Sequence, residues 1–279
     1  NKVFVGEYSL AKIEKLFSEL DKSKIVFSNS EDLFSKSLAE NCFLVRSTSF
    51  FISDELVKTL KDYASSSCSS SFKEESSVLA NCYPLVWINV RANSRVWISQ
   101  DVGLARVIKK LQQKYPQMAV IFDGWTSLEE TELSPQEKAF IEKELGIVDQ
   151  IKSLEPKVIY KSVIGTTVAD KLEWLKLVDF YIIPYGSAHA FAYLYQIPGI
   201  VYSSRAHAAN NKIQKQATSA HQSLVSPIVV SAEKSQIDEN LIGSITGNSA
   251  LAKMGAYNED FECDADKIYE ECMSIIRER

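Results

Sequence analysis

Apolar residues recur along this chain at two spacings, and each change of spacing marks a new element. Residues 2–6 form a short apolar run closed by Gly6, which predicts a strand. Leu10, Ile13, Leu16, Phe17 and Leu20 fall at helical spacing with charges between them, so a helix is predicted over 10–20. Residues 24–28 and 41–45 predict two more strands, and 54–64 a helix with Ser53 as its N-cap. The serine-dense stretch 65–71 then reads as a loop or linker.

Beyond it the pattern becomes regular. Apolar runs at 85–90, 118–122, 158–160, 180–183 and 199–202 predict buried strands. Amphipathic stretches at 103–115, 134–145, 169–177 and 188–196 predict the helices between them, the second opened by Ser134-Pro135 and closed near Gly146. One more strand is expected at 228–230 and a terminal helix at 264–279, with Asp264 and Asp266 as charges at its start. Strands that are apolar throughout and alternate with helices predict a Rossmann-like parallel sheet with helices on both faces. The expected division is a smaller N-terminal α/β part over 1–78 and the Rossmann-like unit over 79–279.

Crossovers in such sheets keep the loops after the strands on one edge, and ligands bind there. The chemistry is therefore sought just after each strand. Arg91, Asn93 and Arg95 follow the first strand of the regular half, and arginine offers a planar fork of donors to phosphate. Asp123, Gly124 and Trp125 follow the second: a base or hydroxyl ligand, a close backbone approach and a ring to stack on, although Asp-Gly is also a common turn pair. Lys161 is expected near a phosphate after the third, or on the surface. Tyr185, Gly186, Ser187 and His189 follow the fourth, where small residues opening a helix suit an anion. Arg205 and, ranked lower, His207 follow the fifth.

Composition narrows the classes. The 279 residues carry a formal net charge of −5, which gives no support for nucleic-acid binding. The five cysteines, Cys42, Cys68, Cys82, Cys263 and Cys272, are odd in number and without CxxC spacing, so reduced thiols in a cytoplasmic protein are expected. No metal site, GxGxxG fingerprint, Walker A sequence or GxSxG elbow is seen. The sequence starts at Asn1 rather than Met, which suits a piece of a longer protein.

The order of elements over 85–202 resembles the C-terminal domain of GT-B glycosyltransferases, most closely the heptosyltransferase-like and capsule or lipopolysaccharide enzymes of bacteria. The residues that carry the resemblance are the buried strand 180–183, the turn Pro184-Tyr185-Gly186-Ser187-Ala188-His189, the short helix after it and Ile197-Pro198-Gly199-Ile200-Val201. Pro184 stands where the heptosyltransferase pattern has aspartate, so the run does not specify the donor. The resemblance implies a nucleotide-sugar donor bound as substrate, no cofactor, a glycan or lipid-linked glycan acceptor, and a cytoplasmic enzyme that could touch the membrane periphery. It places Tyr185, Gly186, Ser187 and His189 at the donor, with Arg91, Asn93, Arg95, Lys161 and Arg205 along the cleft. Asp123 or Glu7 is the expected acceptor base, and Arg91 the leaving-group cation. A non-catalytic glycan-binding or scaffolding module, and an epimerase of GT-B-like fold, are the alternatives.

Overall fold

The structure is a computed structural model that describes residues 3–6, 12–17, 19–28, 32, 35, 39, 54–186, 192, 195–209, 226–233 and 259–277. Two short strands, β1 (Val3–Gly6) and β2 (Ile25–Ser28), pair in parallel, with the helical turn α1 (Ile13–Leu16) between them. The strand expected at 41–45 lies outside the described residues.

The rest is built on six parallel strands: β3 (Leu85–Asn89), β4 (Ala119–Asp123), β5 (Ile159–Ser162), β6 (Phe180–Pro184), β7 (Gly199–Ser203) and β8 (Ile228–Ser231). Their order across the sheet is β5-β4-β3-β6-β7-β8, and a short helix, α7 (Arg205–Ala209), follows β7. Counted from β3 this is 3-2-1-4-5-6, the doubly wound order of the Rossmann fold. Every residue of β3, β4, β6 and β7 is buried, whereas the edge strands β5 and β8 are partly exposed. An inner strand buries both of its faces, so it reads as a continuous apolar run and not as an alternation.

Strand alternation divides the core in two. Val86, Ile88, Val120, Phe122, Phe180, Ile182, Ile200 and Tyr202 face one layer of helices: α4 (Gln100–Lys114), α5 (Pro135–Leu154) and α8 (Ala265–Arg277). Leu85, Trp87, Ala119, Ile121, Tyr181, Ile183 and Val201 face the other: α2 (Asp54–Ser67), α3 (Ser71–Leu79) and α6 (Val168–Leu175). Helices are held in place by specific ends. Ser134 and Glu137 close a capping box on α5, and the Thr167 hydroxyl accepts the Asp170 N–H at the start of α6. Asp264 caps α8 by accepting the Asp266 N–H at 2.8 Å, and Asp266 pairs with Lys110 and Arg106 of α4. No helix among the described residues is long and apolar enough to cross a membrane.

Two expectations from the sequence are corrected here. The serine stretch is not a loop: Ser65–Ser67 complete α2 and Ser71 opens α3, leaving a tight turn between two helices on one face of the sheet. Tertiary contacts outweigh the weak helix propensity of serine. Ser65 Oγ donates to Glu173 at 2.9 Å, and Ser69 N–H donates to Asp170 at 2.7 Å, both on α6. Gly146 does not end α5, which runs eight residues further to Leu154. The buried stripe Glu144, Val148, Ile151 continues straight through it, and packing of that stripe offsets one exposed glycine.

Candidate functional site

The strand order reverses between β3 and β6, and the carboxyl ends of these two strands open the crevice where doubly wound sheets bind ligands. Arg91 leaves β3 at this point and Tyr185-Gly186 leaves β6. Arg91 Nη1 donates to the Tyr185 carbonyl at 3.2 Å, and Nε donates to Asn93 Oδ1 at 3.4 Å. A Cβ on Gly186 would lie 2.9 Å from Nη1, so the glycine lets the turn approach the guanidinium without displacing it. The main chain of Arg91 is fixed on both sides by the buried Gln100: its N–H donates to Oε1 at 3.1 Å and its carbonyl accepts from Nε2 at 2.6 Å.

Arg95 takes a φ of 55°, the left-handed corner of the same loop. Beyond it the chain is stitched to the segment before α8. Val96 N–H donates to Asp260 at 2.8 Å, Trp97 bridges Phe261, and Glu262 accepts from Trp97 Nε1 at 3.0 Å and Ser99 Oγ at 2.6 Å. Trp97 itself is buried against Gly103 of α4, where any Cβ would run into the indole.

Asp123 occupies a different setting from the one expected of a base. It is 2% exposed, Asn89 Nδ2 donates to Oδ2 at 2.7 Å, and Lys171 Nζ lies 2.6 Å from Oδ1. Lys171, wholly buried on α6, also donates to the carbonyls of Gly124 (2.8 Å) and Trp125 (2.9 Å) and to Thr126 Oγ1 (2.8 Å). This charge therefore holds the loop after β4 from beneath. From α5, Glu144 reaches the same loop and accepts the Trp125 N–H at 2.6 Å. A Cβ on Gly124 would overlap its Oε2. Burial, helped by the like charge of Asp123, pushes the Glu144 carboxyl up to about 7, against the Trp125 N–H and the cations Lys171 and Arg91.

The other nominated residues spread out. Lys161 lies within β5, not beyond it; it pairs with Glu75 of α3 and sits 5.5 Å over the Trp174 ring, on the sheet face and away from the crevice. Arg205 donates to the carbonyls of Ala232 (3.1 Å) and Glu233, tying the end of β7 to the end of β8. His207 is buried, with Nδ1 3.0 Å from Ser204 Oγ and its ring 4.8 Å from that of Tyr185, so it supports the crevice turn from behind. Glu7, Ser187, His189 and the helix expected at 188–196 fall wholly or mainly outside the described residues. The structure thus gathers Arg91, Asn93, Tyr185 and Gly186, with His207 against Tyr185, and adds Gln100 beside Arg91 and Glu144 and Lys171 under the loop after β4. Glu144 and Lys171 had a signal in the sequence. Each is a charge standing on the apolar stripe of its helix, between Ile141 and Val148 and between Val168 and Leu175.

No family model matches the chain, and no curated protein matches it in sequence. Solved structures to which it is similar include a glycosyl transferase of family 9 from Veillonella parvula DSM 2008, with a TM-score of 0.44 and 10% identity over 92% of this chain and 65% of that one. A UDP-GlcNAc 2-epimerase from Methanocaldococcus jannaschii, in complex with UDP-GlcNAc and UDP, has a TM-score of 0.41 and 15% identity over 89% of this chain and 58% of that one. A trehalose-6-phosphate synthase has a TM-score of 0.38 and 10% identity over 74% and 52%. The chain spans less than two thirds of the length of each of these structures. The fold assignment rests on the strand order and register themselves.

Proposed function

We propose that this chain binds a nucleotide-activated sugar at the crevice between β3 and β6 and transfers the sugar to a glycan or lipid-linked glycan acceptor. It would act as a metal-independent glycosyltransferase of GT-B type, in the cytoplasm, in the synthesis of a bacterial surface polysaccharide. One observation supports this best: Arg91 stands at the point where the strand order reverses, bonded to the Tyr185 carbonyl and packed closely on Gly186. Breaking a glycosidic bond to a nucleoside diphosphate leaves growing negative charge on the phosphate. A preorganised guanidinium at the mouth of the crevice stabilises that charge without having to reorganise. The turn from Tyr185 to His189 would cradle the same oxygens, as the resemblance implies. Of the two carboxylates considered for the acceptor proton, Asp123 is engaged by Lys171 and Asn89. That engagement moves the proposal to Glu7.

The test is a thermal-shift screen with UDP, GDP, ADP, dTDP and CMP, with and without magnesium, followed by a sugar-transfer assay. One nucleotide should raise the melting temperature without metal. Arg91→Ala should weaken its binding by about 10-fold or more, the cost of a charge-assisted phosphate contact. No shift with any nucleotide overturns the reading. The engagement of Asp123 also favours a second reading, a non-catalytic glycan-binding module, for which glycan affinity without nucleotide affinity is the signature.

A further inference from the structure

The loop after β4 is held by more than an ordinary turn needs. The peptide groups of Trp125 are fastened from three sides: its N–H by Glu144 at 2.6 Å, and its carbonyl by Lys171 at 2.9 Å and by the Gly165 N–H at 2.8 Å. Two buried ionisable side chains thus converge on the peptide groups of one residue, at a desolvation cost that simple packing of an indole would not require. The ring stacks on Phe140 with centroids 5.3 Å apart and planes at 30°, yet it is only half-buried. Among the described residues the indole N–H finds no hydrogen-bond partner.

Its place in the sheet gives this a meaning. Asn89 and Asp123 are register partners on adjacent strands, and Arg91 and Trp125 each stand two residues beyond them. Both therefore leave the same edge on strands about 4.8 Å apart. A cation and an aromatic ring that leave one edge of the sheet on adjacent strands complement a ligand that joins a phosphate to a planar heterocycle.

We propose that Trp125 is the platform on which the nucleobase of the ligand stacks, with Glu144 and Lys171 as the residues that position it. This rests on the nucleotide reading above and adds to it the residue that senses the base. Arg91 takes the phosphates; Trp125 takes the ring.

The test separates the two ends of the ligand. Affinities of the full chain are measured by calorimetry for the nucleotide giving the largest thermal shift and for inorganic pyrophosphate, which has no base. Trp125→Ala and Trp125→Leu, the latter keeping apolar packing on Phe140, should each weaken nucleotide binding by about 10- to 100-fold, the range for loss of base–aromatic stacking. Pyrophosphate binding should stay within about twofold, and Trp125→Phe should restore nucleotide binding to within about threefold. Nucleotide should also quench the indole fluorescence of the wild type, and less so that of Trp125→Phe. If nucleotide binds the wild type and Trp125→Leu equally well, the platform is refuted while the nucleotide site stands. If both ligands weaken together in Trp125→Leu, the residue is a structural support and not a platform. If the wild type binds no nucleotide, the functional reading fails and the platform with it.

Discussion

Exchanging Lys171 for methionine removes one charge and little else, because methionine follows the same unbranched path. The ammonium is wholly buried and meets Asp123 at 2.6 Å, the Gly124 and Trp125 carbonyls at 2.8 and 2.9 Å, and Thr126 Oγ1 at 2.8 Å. Without it, Asp123 keeps only the 2.7 Å bond from Asn89, and the two carbonyls lose this donor. Breaking a buried pair by deleting one partner costs about 3–5 kcal/mol. Against the total stability of an ordinary domain, about 5–15 kcal/mol, that leaves a barely folded protein. The assay is equilibrium unfolding in urea followed by circular dichroism, with the loss read from the midpoint at constant slope. The double variant Lys171→Met, Asp123→Asn removes the stranded charge and should recover at least about half of the loss, a coupling near 2 kcal/mol. A cost below about 1 kcal/mol for Lys171→Met, or a double variant as unstable as the sum of the singles, would refute the idea that this pair holds the loop after β4.

Glu144 should make stability depend on pH. Its carboxyl moves from 4.5 to about 7 on folding, so the folded state holds its proton more tightly than the unfolded chain. That stabilisation is complete below about 4.5, falls as pH rises through 7 and is absent above; a shift of this size corresponds to about 3 kcal/mol. Glu144→Gln, which can still accept the Trp125 N–H, should flatten the decline between pH 4.5 and 7.5; an unchanged slope by denaturant titration would count against this account. Two glycines in helices should respond in opposite ways to alanine. At exposed Gly146 a Cβ meets nothing within 4 Å, so alanine should stabilise by about 0.5–1 kcal/mol. At Gly103 the Cβ would meet the Trp97 ring, itself tied to Glu262, and overpacking of about 1–3 kcal/mol should exceed the helix gain. Melting temperatures that moved the same way would show that the Trp97 contact is slack.

The doubly wound sheet was legible because periodicity is a local property. Inner strands buried on both faces must be apolar at every position, so β3, β4, β6 and β7 announce themselves within five residues. The edge rule points to Arg91, Asn93, Tyr185 and Gly186, since the side on which the loops lie follows from handedness, but it points equally to Lys161 and Arg205, which the fold turns to other partners. What sequence could not order was the sheet itself. That β3 neighbours β6, and so that Arg91 meets the Tyr185 carbonyl, depends on contacts between residues 94 positions apart. Propensity also misled where tertiary contacts were stronger: Ser65 of α2 and Ser69 just beyond it find carboxylates on α6, and the stripe of α5 carries the helix past Gly146. The setting of Asp123 was decided in the same way. Seen along the chain it is a carboxylate at a strand end, free to act as a base. Only the fold brings Lys171 beneath it from a helix 48 residues later and makes it part of the support for a loop. Periodicity is written in neighbours along the chain, but the charge state and freedom of a side chain are set by neighbours in space.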